Sequence, residues 1–481
     1  MQLRPNTGLT FDDVLLVPRR SAVRSRQAVH TRTAYSRHIE LALPVVSSNM
    51  DTVTESAMAI AMARLGGVGV IHRFMSIERQ AAEVARVKQA ESFMVDHPFS
   101  LPAATTVEEA KAKLAEHNIG GAMVLDAEGQ LIGLVSTRDL IFELNADRSI
   151  TDVMTPRDKL ITVGAGASLD AARSLLHDHR LEKLPVVDNS GRLLGLITAQ
   201  DITKMDQSPD ATKDAKGRLR VAAAVGVRDS DVERAEACVN AGVDSLVVDI
   251  AHGHSDLALN MVRALKQKFP RVDIVGGNVA TAEGVRDLVE AGADGVKVGV
   301  GAGSICITRI VTGFGVPQLT AIADCAEAGH ALNVPVIADG GIRTSGDITK
   351  ALAAGASTVM IGSLLAGTDE SPGATVVRDG RRIKIVRGMA SLTANIDRQA
   401  VDLRREVDPE DWEKVVPEGV EAMVPVRGPV KDILHQLVGG LRSGLSYAGA
   451  ATIQELWQNA EFIRITSAGK RESGAHDVDK F

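Results

Sequence analysis

The stretch Asp294-Gly-Val-Lys-Val-Gly-Val-Gly-Ala-Gly-Ser-Ile-Cys-Ile-Thr-Arg309 sets the reading of the whole chain. Its first part is apolar with small residues at alternate positions, the pattern of a buried strand. Gly299, Gly301 and Gly303 follow, then Ser304, Cys306, Thr308 and Arg309. Glycines permit positive φ and close backbone approach, and successive backbone N–H groups can hold an anion. A glycine-rich loop leaving a strand end thus presents a thiol beside an arginine, a setting suited to a nucleophile. The same residues also suit a tight turn with a buried cysteine, and the surroundings decide between the two.

Outward from that loop, strands and helices alternate. Strands are expected at Leu43–Ser48, Val68–His72, Leu219–Val225, Ser245–Ile250, Asp273–Gly277, Gly295–Val300, Pro335–Asp339 and Thr358–Gly362. Helical periodicity lies between them, as at Ser56–Leu65, Asp229–Ala241, Leu257–Phe269 and Ala282–Ala291. Eight such units in about 370 residues make an α/β fold of the (β/α)8, or TIM, barrel type. No strand runs into a Gly-x-Gly-x-x-Gly turn that opens a helix, which disfavours a dinucleotide-binding Rossmann domain. An apolar arm at Gly8–Pro18 has a hairpin-like character.

The rhythm breaks once. Gly129-Gln-Leu-Ile-Gly-Leu-Val-Ser-Thr-Arg-Asp-Leu140 returns 62 residues later as Gly191-Arg-Leu-Leu-Gly-Leu-Ile-Thr-Ala-Gln-Asp-Ile202. Each copy reads as helix, strand, turn, strand, helix. The pair resembles tandem cystathionine-β-synthase (CBS) motifs, which commonly bind adenine nucleotides. That resemblance places Ser136 and Asp139, and Thr198 and Asp201, where a ribose is gripped; a folded pair without ligand is the alternative. The expected organisation is barrel over 1–95, the two motifs over 96–149 and 150–206, and barrel again over 217–481. Asp206–Lys216 is a polar linker, and about 367–428 a flap in which Asp379-Gly380 makes a turn.

Composition agrees with a soluble α/β protein: 45% hydrophobic, 24% charged and 3% aromatic residues, with 44 glycines among 481 residues. A net charge of −7 carries no nucleic-acid footprint. No apolar run reaches membrane length, and three cysteines give no disulfide framework, so a cytoplasmic location is expected. Cys238 and Cys325 fall in helical segments and read as packing residues, whereas Cys306 sits at a strand end.

Barrel active sites lie at the C-terminal strand ends, often with a phosphate site after strands seven and eight. Asp339-Gly340-Gly341 and Gly362-Ser363 stand there, with Ser304 beside the thiol. Asp339 is suited to a ribose diol. Ser48, Asp249 and Asn278 are further polar residues at strand ends, each also readable as a cap or turn residue.

These stretches resemble the IMP dehydrogenase / GMP reductase family. The resemblance runs through Gly8–Pro18, Ser47–Glu55, Asp249–His254, Gly299–Arg309, Asp339–Arg343, Gly362–Gly367, Arg387-Gly-Met389, Pro417-Glu-Gly419 and Val438–Ser443. It implies that Cys306 adds to C2 of a purine nucleotide and forms a thioimidate. It further implies phosphate contacts from Ser304, Gly341, Gly362 and Ser363, and ribose contact from Asp339. Ser48, Met50, Gly388 and Met389 would surround the nucleotide, with Glu418 at the base. Asp249, Asn278, Gly299 and Arg309 would face the nicotinamide. Carbonyls of Gly301, Gly303 and Cys306 resemble a potassium site that a neighbouring subunit completes, with Arg471–Ser473 as a contributor. A homotetramer or an octamer follows, with adenine or guanine nucleotides as effectors at the CBS pair.

The family runs two opposite reactions. The dehydrogenase hydrolyses the thioimidate with water activated by an Arg-Tyr pair in the flap. Here the corresponding region, Asp402–Trp412, offers Arg404 or Arg405 but no tyrosine, and Val386 replaces another tyrosine before Arg-Gly-Met. The reductase needs a proton source for a departing amine, and Thr308 with Glu418 matches. Ile307 departs from the family's usual Cys-Thr-Thr-Arg. The expected reaction is GMP + NADPH → IMP + ammonia. The alternatives are an NAD-dependent IMP dehydrogenase with a diverged flap and a non-catalytic purine-nucleotide sensor.

Overall fold

The computed structural model describes residues 3–91, 94–96, 98–164, 166–206, 208–403 and 416–474. The chain divides into two units: Met1–Ala90 with Asp210–Asp214 and Leu219–Phe481, and Glu91–Pro209 with Ala215–Arg218.

The first unit is a closed eight-stranded parallel barrel. Its strands are β1 (Val45–Ser47), β2 (Val68–Ile71), β3 (Ala222–Val225), β4 (Ser245–Asp249), β5 (Asp273–Val279), β6 (Gly295–Val298), β7 (Val336–Asp339) and β8 (Thr358–Ile361). They run in sequence order, and β8 closes onto β1 through Val359↔Val45. Strands buried on both faces read as continuous apolar runs, and the strand residues here are almost all buried. Several intervening helices stop at a glycine in the left-handed region, as at Gly242 (φ 93°), Gly292 (φ 107°) and Gly355 (φ 107°). A side chain there would be strained, so glycine ends the helix and turns the chain into the next strand.

Inside the barrel, Val46, Val70, Ala224, Val247, Val275, Ile337 and Met360 form one core. The hairpin Thr33–Ser36/Ile39–Leu41 closes its N-terminal end, adding Tyr35, Ile39 and Leu41 to that core. Ser36 Oγ and His38 Nδ1 bond Asp273 at the start of β5, at 2.5 and 2.7 Å. Side chains alternate along a strand. The inward set therefore continues upward to Asp249, Gly277 and Lys297, which lie side by side in register across β4, β5 and β6.

Two expectations change. The arm at Gly8–Pro18 is not a hairpin: Val14–Leu16 pairs with Phe462–Arg464 near the other end of the chain. The linker is partly built into the barrel unit, since Thr212 is buried and its N–H donates to Ala63 O at 2.8 Å. In the flap, Thr375–Arg378 and Arg381–Arg387 pair around Asp379-Gly380, and a third strand, Glu421–Pro425, joins them.

The second unit holds two four-stranded sheets of matching design. Gly121–Leu125 with Leu131–Ser136 in one, and Lys183–Val187 with Leu193–Thr198 in the other, form antiparallel central pairs. Each pair carries a bulge at the corresponding place, Val124/Leu125 and Val186/Val187. Asn118 and Arg180, 62 positions apart, both adopt φ 51°. The repeat read from the letters is thus a repeat of backbone geometry.

Candidate active site

Beyond β6 the chain makes the glycine loop. Gly299 has φ 148°, and a Cβ there would sit 2.0 Å from the Asp339 carbonyl oxygen, so only glycine fits. The loop is then held as a strand would be. Ile307 N donates to Glu418 O at 2.8 Å, and Val420 N to Ile305 O at 3.0 Å. Glu418 N donates in turn to Ala390 O at 3.0 Å, and Gly388 N to Val420 O at 3.0 Å. Cys306, Glu418 and Met389 therefore come together although they are far apart in the chain.

They line a cavity of about 300 Å³ at the C-terminal mouth of the barrel. Cys306 Sγ and Thr308 Oγ1 lie 3.1 Å apart on its wall. Of the other expected residues, Ser48, Met50, Asp249, Asn278, Gly299, Gly301, Gly303, Asp339 and Gly388 also line it. Ser48 Oγ is buried with no hydrogen-bond partner among the described residues, a group that a polar ligand would satisfy. Gly362 sits against Ser48 and Met50, and Gly341 packs on the Phe11 ring. Ser304 is exposed; it, Gly341, Gly362 and Ser363 stand outside the lining.

Arg309 does not reach the cavity. Its side chain lies along Gly301 and Gly315, and its guanidinium donates to Val316 O at 2.6 Å. Arg404 and Arg405 lie outside the described residues. In the second unit, Ser136 Oγ and Asp139 form a reciprocal cap on the helix Thr137–Ile141. Thr198 immediately precedes the helix Ala199–Asp206, and the Asp201 side chain is outside the described set.

Sequence reasoning missed the residue at the centre of the mouth, Lys297. Its ammonium bonds Asp249 Oδ1 at 2.5 Å and Asp339 Oδ2 at 2.7 Å, and also Asn278 Oδ1. Burial disfavours the charge on Lys297, but the two carboxylates overcome this and raise its pKa above the ordinary lysine value. Burial likewise works against ionised Asp249, yet Lys297 and Asn49 hold its pKa below the usual carboxylate value. Arg73 and Phe74 also line the cavity unforeseen, the guanidinium 5.4 Å from the ring centroid.

The other two thiols are inert by position. Cys238 in the helix Asp229–Asn240 and Cys325 in Gln318–Ala331 are fully buried, and burial pushes both up to about 12. Cys306 is only half-buried and faces the cavity.

A parallel barrel with a thiol, a neighbouring hydroxyl and a carboxylate at its C-terminal mouth defines an enzyme built for covalent catalysis on a small ligand. Residues 8–476 match the model of the IMP dehydrogenase / GMP reductase domain, and the chain belongs to that family. It is 54% identical to inosine-5'-monophosphate dehydrogenase of Nitrosopumilus maritimus, over 98% of each chain. It is 50% identical to GMP reductase of Leishmania donovani, over 98% of this chain and 97% of that one. Among solved structures it is similar to a Cys-to-Ala GMP reductase of Trypanosoma brucei in complex with guanosine 5'-monophosphate. That match has 47% identity, 99% coverage of both chains and a TM-score of 0.86.

Proposed function

We propose that the chain is a GMP reductase, converting GMP, NADPH and a proton to IMP, NADP and ammonia. Identity alone does not separate the two branches, since relatives of both kinds stand near 50%. The carrying observation concerns tyrosine. The chain has two, Tyr35 and Tyr447. Tyr35 is buried in the barrel core and Tyr447 lies on the helix Val430–Tyr447; neither lines the cavity. The hydrolytic branch thus lacks its water-activating partner, whereas Cys306, Thr308 and Glu418 all line the cavity.

In this reading the Cys306 thiolate adds to C2 of the guanine. Thr308 and Glu418 deliver a proton to the 2-amino group, which leaves as ammonia and gives the thioimidate. When bound, a reduced nicotinamide would supply a hydride to C2, and Cys306 would leave as the C–S bond breaks, regaining its thiolate. Asp339 and the unpartnered Ser48 hydroxyl are suited to hold the nucleotide. The remaining slot, lined by Arg73, Phe74, Ile250 and Ala251, suits a flat ring and an anionic group. With purified protein, absorbance of the reduced cofactor should fall with GMP. NAD reduction with IMP, and no reaction with GMP, would establish the dehydrogenase instead.

The finer assignments belong to the same reading. The repeat unit is a CBS pair that binds purine nucleotides; a similar Trypanosoma brucei GMP reductase has been solved with guanosine 5'-triphosphate. Carbonyls of Gly301, Gly303 and Cys306 suit a potassium ion, although Gly303 O already accepts the Cys306 N–H at 3.2 Å. Ile310 and Phe314, 84% and 78% exposed beside the catalytic loop, favour contact with another copy in a tetramer or octamer. Three unpaired cysteines favour the cytoplasm.

A further inference from the structure

Lys297 takes no part in the chemistry above, and its geometry shows why it is not a ligand group. An ammonium has three N–H donors. Here three acceptors, on Asp249, Asp339 and Asn278, already use them, and the side chain is 2% exposed. The two carboxylates it bridges are left in different states. Asp249 accepts on both oxygens, because Asn49 Nδ2 donates to Oδ2 at 2.8 Å. Among the described residues, Asp339 receives its side-chain bonds on one oxygen only. Lys297 reaches Oδ2 at 2.7 Å and Asn278 Nδ2 reaches the same atom at 2.9 Å. Asn278 is fixed in turn, donating to Gly299 O at 2.8 Å. Asp339 lines the cavity, and among the described residues its Oδ1 is thus the free acceptor of a carboxylate whose rotation is locked from behind.

We propose that Lys297, acting with Asn278, is a positioning residue that aims Asp339 Oδ1 at the ribose hydroxyls and so sets the preference for ribonucleotides over 2'-deoxyribonucleotides. This rests on the reading of Asp339 as the ribose carboxylate. A carboxylate free to rotate would exchange one lost hydroxyl for water or another partner. A locked one is left poorly satisfied when the hydroxyl is missing, and the mismatch appears as lost affinity.

The test compares the Kd values of GMP and 2'-deoxy-GMP by calorimetry, which needs no turnover. A charge-assisted hydrogen bond is worth about tenfold or more, so the unaltered protein should favour GMP by about 10- to 100-fold. Lys297→Gln and Asn278→Ala should each bring that ratio near unity, chiefly by weakening GMP. Lys297→Arg, which keeps the charge and adds donors, should restore most of it. Lys297→Gln leaves a half-buried carboxylate pair uncompensated and is at risk of misfolding; Asn278→Ala keeps the ammonium and reads the same ratio. Equal weakening of both nucleotides in Asn278→Ala would overturn the proposal in favour of a merely structural role. Asp339→Ala separates the two layers. If it leaves the ratio unchanged, the ribose reading itself fails. If it abolishes the ratio while Lys297→Gln and Asn278→Ala keep it, only the positioning role fails.

Discussion

Cys306 Sγ and Thr308 Oγ1 stand 3.1 Å apart, on opposite sides of a residue whose N–H is tied to the Glu418 carbonyl. The hydroxyl is close enough to exchange a proton with whatever the sulfur is attacking. Thr308→Val removes that relay while keeping shape. It should lower kcat by about 10²- to 10⁴-fold, the usual range for a positioned acid or base. The GMP Kd should change by less than about threefold. Cofactor absorbance and calorimetry measure the two quantities, and an unchanged kcat would remove Thr308 from the chemistry.

Glu418 lines the same cavity and is half-buried. Glu418→Gln preserves the backbone bonds that hold the catalytic loop, since those use the main chain. The variant should therefore fold and bind GMP, yet turn it over about 10²-fold or more slowly. Loss of binding together with turnover would instead mean that the side chain builds the loop.

The barrel was legible because parallel strands covered on both faces are written as unbroken apolar runs. All eight expected strands end within two residues of the observed limit, with β5 running on to Val279. The strand Glu421–Pro425 was not, because its residues alternate between exposed and half-buried and carry no core signal. Val14–Leu16 could not be paired locally, since its partner comes from the far end of the chain. Within the site, Cys306 announced itself through its glycines. Lys297 stood in plain view as a lysine inside an apolar strand. Its partners come from other strands, however, and only barrel register brings Asp249 and Asp339 to it. Arg309 misled for the opposite reason: proximity in sequence to the thiol did not stop its guanidinium from bonding Val316.

Gly299 links strand and loop under a steric limit. Its φ of 148° and the 2.0 Å approach of the Asp339 carbonyl leave no room for a methyl group. Gly299→Ala should displace both the catalytic loop and the Asp339 backbone. The expected cost is about 1–3 kcal/mol in stability, the range for a forced backbone conformation. Turnover should fall far more than the melting temperature. A variant with normal kcat would show that the loop adapts.

Thiol labelling should separate the three cysteines without any assay of activity. Cys238 and Cys325 are fully buried, with pKa values pushed up to about 12 by burial, so almost no thiolate forms at neutral pH. Iodoacetamide on the native protein should modify Cys306 alone, and saturating GMP should slow it. Peptide mapping after unfolding should then reveal all three. Early labelling of Cys238 or Cys325 would contradict the packing described for their helices.

Asp12 joins the N-terminal arm to two distant segments, bonding Arg343 at 2.7 Å and Lys470 at 2.8 Å. Hydrogen bonds from Arg343 and then Lys470 hold its carboxyl far below the ordinary 3.8. A depressed acid stabilises the fold above its unfolded pKa, and the benefit is lost as pH falls through the folded value. The group is partly open to solvent, so screening keeps the contribution to about 1 kcal/mol or less. Asp12→Asn should therefore lower Tm slightly at pH 7. The gap should hold down to about pH 5 and shrink below 3.8, where the unfolded carboxyl takes up its proton first. High salt should narrow the gap at neutral pH as well. Melting curves from pH 7 to pH 3 at low and high ionic strength measure both effects, and a gap that widens toward acid would show that the pair does not stabilise the arm.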